Sequence, residues 1–500
     1  MKLNYKRTIL VGFAFFLISA FWQAYDAIVP LALNNHYGLP HTISGFVMSI
    51  DNILAVFMLP IFGALSDKIM TKFGRRTPFI VIGTVAAVIS FILLILVNGI
   101  QLEALKDAGI VDEYNDAFKA FSDLKEELKK QVEAGTITSN ARDAIVSEAE
   151  DALNLLKEDL AKRSHDITMS NVWPLVGFMG VLLLVLISMA TFRSPAVALM
   201  PDVTLKPLRS KANAIINLMG TAGGIIILIL STVMSMSTKL YSSYLGFVLL
   251  VCAVMLGGLI TFLLTVKERK WAEEMEKQSV DLGLEEVVED EGEKRSLSKS
   301  EMRSLLLILA SVALWYIGYN SITSKYVVYA TTILNIDYGI SLLVAQAAAI
   351  VAYIPVGMVA SKLGRRKTIL AGITMLATAF FIGNFIGEGV SNYVMYPIFA
   401  LAGIGWATIN VNSFPMVVEL AKGGEVGKYT GYYYTASMAA QIVAPILSGI
   451  LYDAFGMRAM FFSFGTVFVI GSFITMFFVK HGDAKAEKQD ALSALGGADD

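Results

Sequence analysis

Long apolar runs separated by short charged loops set the plan of this chain. A hydrocarbon core of ~30 Å demands about 20 mostly apolar residues of a helix that crosses it. Runs of that kind predict spans at 8–33, 41–66, 78–98, 172–200, 212–236 and 243–266, then at 304–334, 341–361, 367–388, 393–419, 429–452 and 458–480. The pattern therefore predicts an all-α integral membrane protein of about twelve spans in two sets of six. Residues 267–303 separate the sets; their charge density cannot support a core, so they read as a linker with some helix. The expected units are a first half at 1–266, this linker, a second half at 304–480 and a polar tail at 481–500.

One segment breaks the even spacing. Residues 99–171 hold "EYNDAFKAFSDLKEELKKQVEA" and "SNARDAIVSEAEDALNLLKEDLAKR", each with apolar residues at helical spacing. Between them "AGTITS" supplies a breaker in Gly135 and a capping residue in Ser139. This predicts an exposed helical hairpin, placed outside by parity, that stiffens or shields the outer mouth, with recruitment of a partner or substrate as the alternative.

Composition agrees with the membrane class: of 500 residues 55% are hydrophobic and 16% charged, with a mean hydropathy of +0.62. A net charge of -2 gives no reason to expect a nucleic-acid partner, and the single cysteine, Cys252, has no intramolecular disulfide partner. The apolar part of the N-terminal segment is longer than a signal h-region, so it reads as a retained first span. Lys and Arg concentrate in "DKIMTKFGRRTP", "KPLRSKAN", "SKLGRRK", the linker and the tail. By the positive-inside rule these lie in the cytoplasm with both termini, which suits a cell (inner) membrane protein.

The halves echo one another. "GALSDKIMTKFGRR" follows the second span and "GMVASKLGRRK" follows the eighth, which aligns Gly74, Arg75 and Arg76 with Gly364, Arg365 and Arg366. Gly63 lets two helices approach, and Asp67 can pair with Arg75, with Arg76 or with a basic residue after span four, latching the inner side in one state. An internal repeat across two bundles points to a transporter whose halves rock around a midplane site.

Gly63, Asp67, Gly74, Arg75 and Arg76 resemble the inner-loop signature of the major facilitator superfamily. The longer strings "GALSDKIMTKFGRRTPFIVIG" and "FRSPAVALMPDVTLKPLRSKANA" are similar to its sucrose-transporter-like branch and the neighbouring glycoside, pentoside and hexuronide cation symporters. The resemblance implies alternating access between two six-helix halves, with spans one, seven, ten and eleven lining the cavity. It also implies an acid followed by an arginine in span four. Here span four has no acid before Asp202 and Arg193 stands elsewhere, so the coupling acid is expected at Asp26 or Asp51.

Charges at membrane depth cost at least ~2.5 kcal/mol at the centre of a span and call for a function. The candidates are Asp26, Asp51, Arg193, Lys325 and Glu419. At ~1.5 Å per residue, Asp26 lies about 11 Å, Asp51 about 15 Å and Lys325 about 14 Å below the outer ends of their spans, in one layer. A carboxylate pair facing Lys325 across the seam between halves would answer to protonation. A sodium ion held by the same oxygens with Asn52 and Gln23 is the other possibility. Arg193 and Glu419 lie nearer the inner ends, as anchors or as further site charges.

Sugar recognition needs polar groups beside aromatic faces. Trp22, Gln23 and Tyr25, Tyr319 and Asn320, and Trp406 and Asn410 supply them, with Gln23, Asn320 and Asn410 the leading contacts. No HExxH, GxSxG or paired-histidine motif points to an enzyme, and no cofactor or metal site is expected. The sequence thus predicts cation-coupled uptake of a sugar or glycoside by a monomer in the bilayer. A proton-driven exporter of amphiphilic compounds and a membrane sensor are the alternatives.

Overall fold

The computed structural model describes residues 3–205, 208–282, 298–386, 392–418, 420 and 426–481. In the first half the helices are α1 (Tyr5–Val11), α2 (Phe13–Leu31), α3 (His41–Lys68), α4 (Thr77–Asp107), α5 (Ile110–Glu133), α6 (Ser139–Ser170), α7 (Trp173–Asp202), α8 (Arg209–Val233) and α9 (Leu245–Thr265). The linker contributes α10 (Glu268–Asp281). The second half holds α11 (Lys299–Thr323), α12 (Tyr326–Val328), α13 (Tyr338–Leu363), α14 (Arg365–Gly383), α15 (Asn392–Val418), α16 (Val426–Phe455) and α17 (Met457–Phe477).

Among the described residues, 11 helical stretches are long and apolar enough to cross a membrane. In the place of an eighth span stands α13, whose apolar stretch is shorter, Tyr338–Tyr353. Large apolar side chains such as Phe57, Ile82, Leu264 and Val351 point outward from the bundle. An apolar outer face beside a packed interior is what a bilayer solvent selects. Within the first half α4 packs on α7 and α2 on α8 and α9; within the second, α15 packs on α13 and α14, and α11 on α17. The halves meet where α3 packs on α16 and α8 on α13.

The insertion is two helices. Helix α4 runs past the predicted end of its span to Asp107, turns at Gly109 (φ 77°) and leads into α5. Phe121 and Leu128 of α5 bury against Val146 and Leu153 of α6. The cap of α6 is Thr138, whose side chain accepts from the Ala141 amide, one residue before the expected Ser139. The bundle end beside these helices is called the hairpin side, and the end beside α10 the linker side.

A second internal repeat lies at the ends of the two leading spans. "LNNHYG" (33–38) overlaps the wide helical turn Ala32–His36, whereas "LNIDYG" (334–339) directly follows the wide turn Tyr329–Ile333, so the turns are offset by four residues from the sequence repeat. The Tyr37 amide bonds to the Ala32 carbonyl at 3.1 Å and the Leu39 amide to Leu33 at 2.9 Å; Leu334 to Tyr329 at 3.1 Å and Ile336 to Ala330 at 2.9 Å repeat the pattern. The inserted residue leaves carbonyls without helical donors. In the second half α6 satisfies them: the buried Lys157 ammonium donates to the carbonyls of Thr331 (3.0 Å) and Thr332 (3.3 Å) and to Asn335, and Asn154 donates to Ile333 (3.1 Å).

Other bonds between halves also gather on the hairpin side. Helix α3 starts after Pro40 with no cap of its own. Asp453 of α16 takes that place, accepting from the His41 amide (2.8 Å), the Thr42 amide (2.7 Å) and the Thr42 hydroxyl (2.5 Å). The approach depends on glycine: a Cβ on Gly45 would lie 2.1 Å from the Pro445 carbonyl oxygen, and one on Gly449 2.4 Å from that of His41. This side of the molecule is closed.

Lys157→Ala removes a charged donor from buried carbonyls, worth about 1.5–3 kcal/mol. Amide hydrogen exchange over 329–336 should quicken about tenfold or more, while exchange within α14 stays unchanged.

Candidate functional site

Five helices turn matching stripes toward one void. Trp22 and Asp26 lie one turn apart on α2; Met48, Asp51 and Asn52 share a face of α3; Arg193 comes from α7. From the second half come Asn320 and Thr323 of α11, Ser324 just after it, and Gln441 and Pro445 of α16. The cavity between them measures about 210 Å³. It therefore straddles the seam, with its charged groups on one half and uncharged polar groups on the other.

The electrostatics are those of two acids and one base. Asp51 accepts a 2.9 Å hydrogen bond from the Asn52 side chain. The Arg193 guanidinium lies 5.8 Å from the centre of the Trp22 ring, in cation–π range, and its charge reaches Asp51. Asp26 and Asp51 are near enough to act on one another, and Tyr25 is buried beside both, its edge against Trp22 at 5.3 Å.

Of the expected site residues, Trp22, Asp26, Asp51, Asn52, Arg193 and Asn320 line this cavity. Gln23 lies beside the seam, accepting from Gln346 at 3.2 Å. Tyr319 stacks on Trp406 at 6.0 Å, and Asn410 is buried in α15; none of these three lines the void. Glu419 lies outside the described residues.

Lys325 does not face the carboxylates. Its ammonium donates to Ser44 and to the His41 carbonyl (3.4 Å) on the hairpin side. The depth estimate assumed one straight helix, but α11 stops at Thr323 and α12 begins at Tyr326, so Lys325 stands at a break. Arg193, placed by sequence nearer the inner end of its span, is the cation that shares the void with the acids.

The loop signature forms a second site on the linker side. Arg76 is buried and holds Asp202 through Nε at 2.8 Å, Asp67 through Nη2 at 2.5 Å, and Ser66. Gly63 admits α7, since a Cβ there would sit 2.9 Å from the Ser194 hydroxyl. The carboxylate of Glu268, the first residue of α10, accepts from the amides of Arg75 (2.6 Å), Arg76 (2.8 Å) and Thr77 (2.7 Å) and from the Thr77 hydroxyl (2.7 Å). Gly74 makes room at φ 123°, because a Cβ there would fall 2.2 Å from the Glu268 carboxyl carbon. In the repeat, Gly364 has φ 90° and Arg366 donates to the Phe477 carbonyl. In this state the Arg76 cluster ties α3, α4, α7 and α10 within the first half and its linker. Glu268 and Gln346 gave no sign in the sequence, since each acts on residues far away along the chain.

Two halves of membrane-length apolar helices enclosing a polar cavity at their seam define a multi-pass membrane protein with the layout of a secondary transporter. Residues 10–104 match the family profile described as MFS/sugar transport protein, and residues 337–495 that described as Major Facilitator Superfamily. The chain belongs to the major facilitator superfamily.

Among curated relatives, the MFS-type transporter ppzB of Metarhizium rileyi is 30% identical over 108 residues, 22% of each chain. The multidrug resistance protein MdtG of Proteus mirabilis is 26% identical over 138 residues, 27% of this chain and 33% of that one. The chain thus spans between about a fifth and a third of the length of these relatives. A D-xylose-proton symporter has the same fold at 14% identity with TM-score 0.54, covering 96% of this chain and 99% of its own. So does the nucleoside transporter NupG, at 12% identity and TM-score 0.51, with 96% and 100% covered.

Glu268→Ala strips four hydrogen bonds from a buried helix start and should cost about 1.5–3 kcal/mol. Thermal unfolding in detergent should fall by several degrees, with Glu268→Gln falling less because it keeps an acceptor.

Proposed function

We propose that this chain is a secondary active transporter that takes up a sugar or glycoside with a cation, normally a proton, by alternating access. The observation that carries the reading is the cavity itself, a polar void at the seam, closed on the hairpin side and holding two carboxylates. A solute seated there touches both halves, which lets its binding bias their relative position. The match of the first half to an MFS/sugar transport profile and the shared fold with a D-xylose-proton symporter support a sugar as cargo.

The basic loop 68–76 lies on the linker side; the positive-inside rule supports a cytoplasmic linker side and termini, with the hairpin outside the cell membrane. Asp26 and Asp51 are the coupling carboxylates, facing Arg193, Asn52 and Tyr25. Sodium would use Asp51 with Asn52. The transporter acts as a monomer, since each chain encloses its own cavity. Export of amphiphilic compounds is the second reading, favoured by the likeness to a multidrug resistance protein.

Proteoliposomes decide between them. Saturable counterflow of labelled sugars supports uptake, whereas efflux of a dye with no sugar counterflow supports export and overturns the proposal. Asp51→Asn should lose accumulation under an imposed proton gradient by at least tenfold yet keep counterflow, because exchange needs no net proton movement. A mutant that still concentrates solute normally would remove Asp51 from the coupling role. Asn52→Ala should alter sodium dependence only if sodium is the ion.

A further inference from the structure

The cavity is rich in donors that the protein does not satisfy. Arg193 makes no hydrogen bond and has no carboxylate oxygen within 4.0 Å among the described residues, although it offers five N–H groups. The indole Nε1 of Trp22 and the hydroxyl of Ser324 are buried at the same cavity without a partner. Asp51 has one oxygen engaged by Asn52, and Asn320 spends its amide group on the Tyr316 carbonyl at 2.8 Å.

A neutral sugar offers hydroxyls that are donors and acceptors in equal measure. It does not answer a guanidinium in a low-dielectric site, where the strong partner is a planar anion held by two parallel N–H···O bonds. The void of about 210 Å³ lies below the ~300 Å³ at which pockets for drug-sized ligands begin, so it suits one small ring or a short polyol.

From these observations we infer that the solute carries a carboxylate, and that Arg193 is its receptor, with Trp22 and Ser324 donating to the solute's remaining oxygens. This rests on the transport reading above and narrows its cargo to a small hydroxylated acid. Charge balance follows. With Arg193 charged and both acids ionised the cavity carries a net charge of about −1, and a bound anion takes it to about −2. One proton on Asp26 or Asp51 restores the starting charge and two neutralise the site, so the anion enters with protons and not alone.

The test pairs each acid with its neutral amide. Binding of D-glucuronate against D-glucuronamide, and of D-gluconate against D-gluconamide, is measured by calorimetry on the purified full chain in detergent, with D-glucose counterflow as the control for transport. The acids should bind at least tenfold tighter than the amides. Arg193→Gln should abolish that preference, and Arg193→Lys, which keeps the charge and guards against a folding defect, should reduce it. Equal binding of acid and amide, or a preference that survives Arg193→Gln, overturns the inference. If D-glucose still exchanges in that case, the sugar reading stands without it. Silence of every sugar and acid tested overturns both.

Discussion

Two carboxylates from far along the chain, Glu268 and Asp453, capture helix N-termini among the described residues, and the architecture turns on the difference between them. A helix start presents amides without intrahelical acceptors and a partial positive charge, so a carboxylate is its natural partner. At α4 that partner is Glu268, supplied by the linker of the same half, and Arg76 beside it gathers Asp67 and Asp202. At α3 the partner is Asp453, supplied by the opposite half. The first cap makes one half a unit. The second joins two units that have to part if the molecule is to open on its hairpin side.

The site inherits its position from that second cap. Helix α3 is fixed to α16 at His41 and Thr42, touches it again where Ser49 donates to the Ile442 carbonyl at 2.9 Å, and then delivers Asp51 and Asn52 to the cavity. Helix α16 follows the same course in reverse, from Asp453 through Pro445 to Gln441. Gate and cavity are thus successive turns of one helix pair. Asp51 lies about three turns from the Asp453 cap along one continuous helix.

The spans were legible because hydropathy is a local property that a bilayer reads directly, and the paired loops were legible because they repeat. Half of the cavity was also legible: Trp22, Asp26, Asp51, Asn52 and Asn320 are charged or polar residues in runs that should not hold them. What sequence could not show was direction and long-range pairing. Ser324 and Lys325 interrupt α11 without lowering the apolar average enough to register, and the interruption turns Lys325 toward Ser44 and away from Asp51. Depth placed Arg193 along its helix but did not say which helix lay opposite. Glu268 and Asp453 act across 192 and 411 positions of chain, respectively, where no periodicity carries a signal.

Magnitudes bear on whether such a closure can serve a cycle. A helix cap contributes about 0.5–2 kcal/mol, and charged hydrogen bonds such as those of Lys157 and Lys325 about 1.5–3 kcal/mol each. The hairpin-side lock is therefore worth several kcal/mol, of the same order as the ~5.5 kcal/mol that carries a two-state equilibrium from 1:99 to 99:1. A lock much stronger than this would hold the molecule shut whatever occupied the cavity; one much weaker would let the halves part without a solute. Spread over Asp453, Lys325 and Lys157, the closure lies where a few kcal/mol of differential binding at the cavity can decide the state, and it arises from ordinary caps on ordinary helix ends.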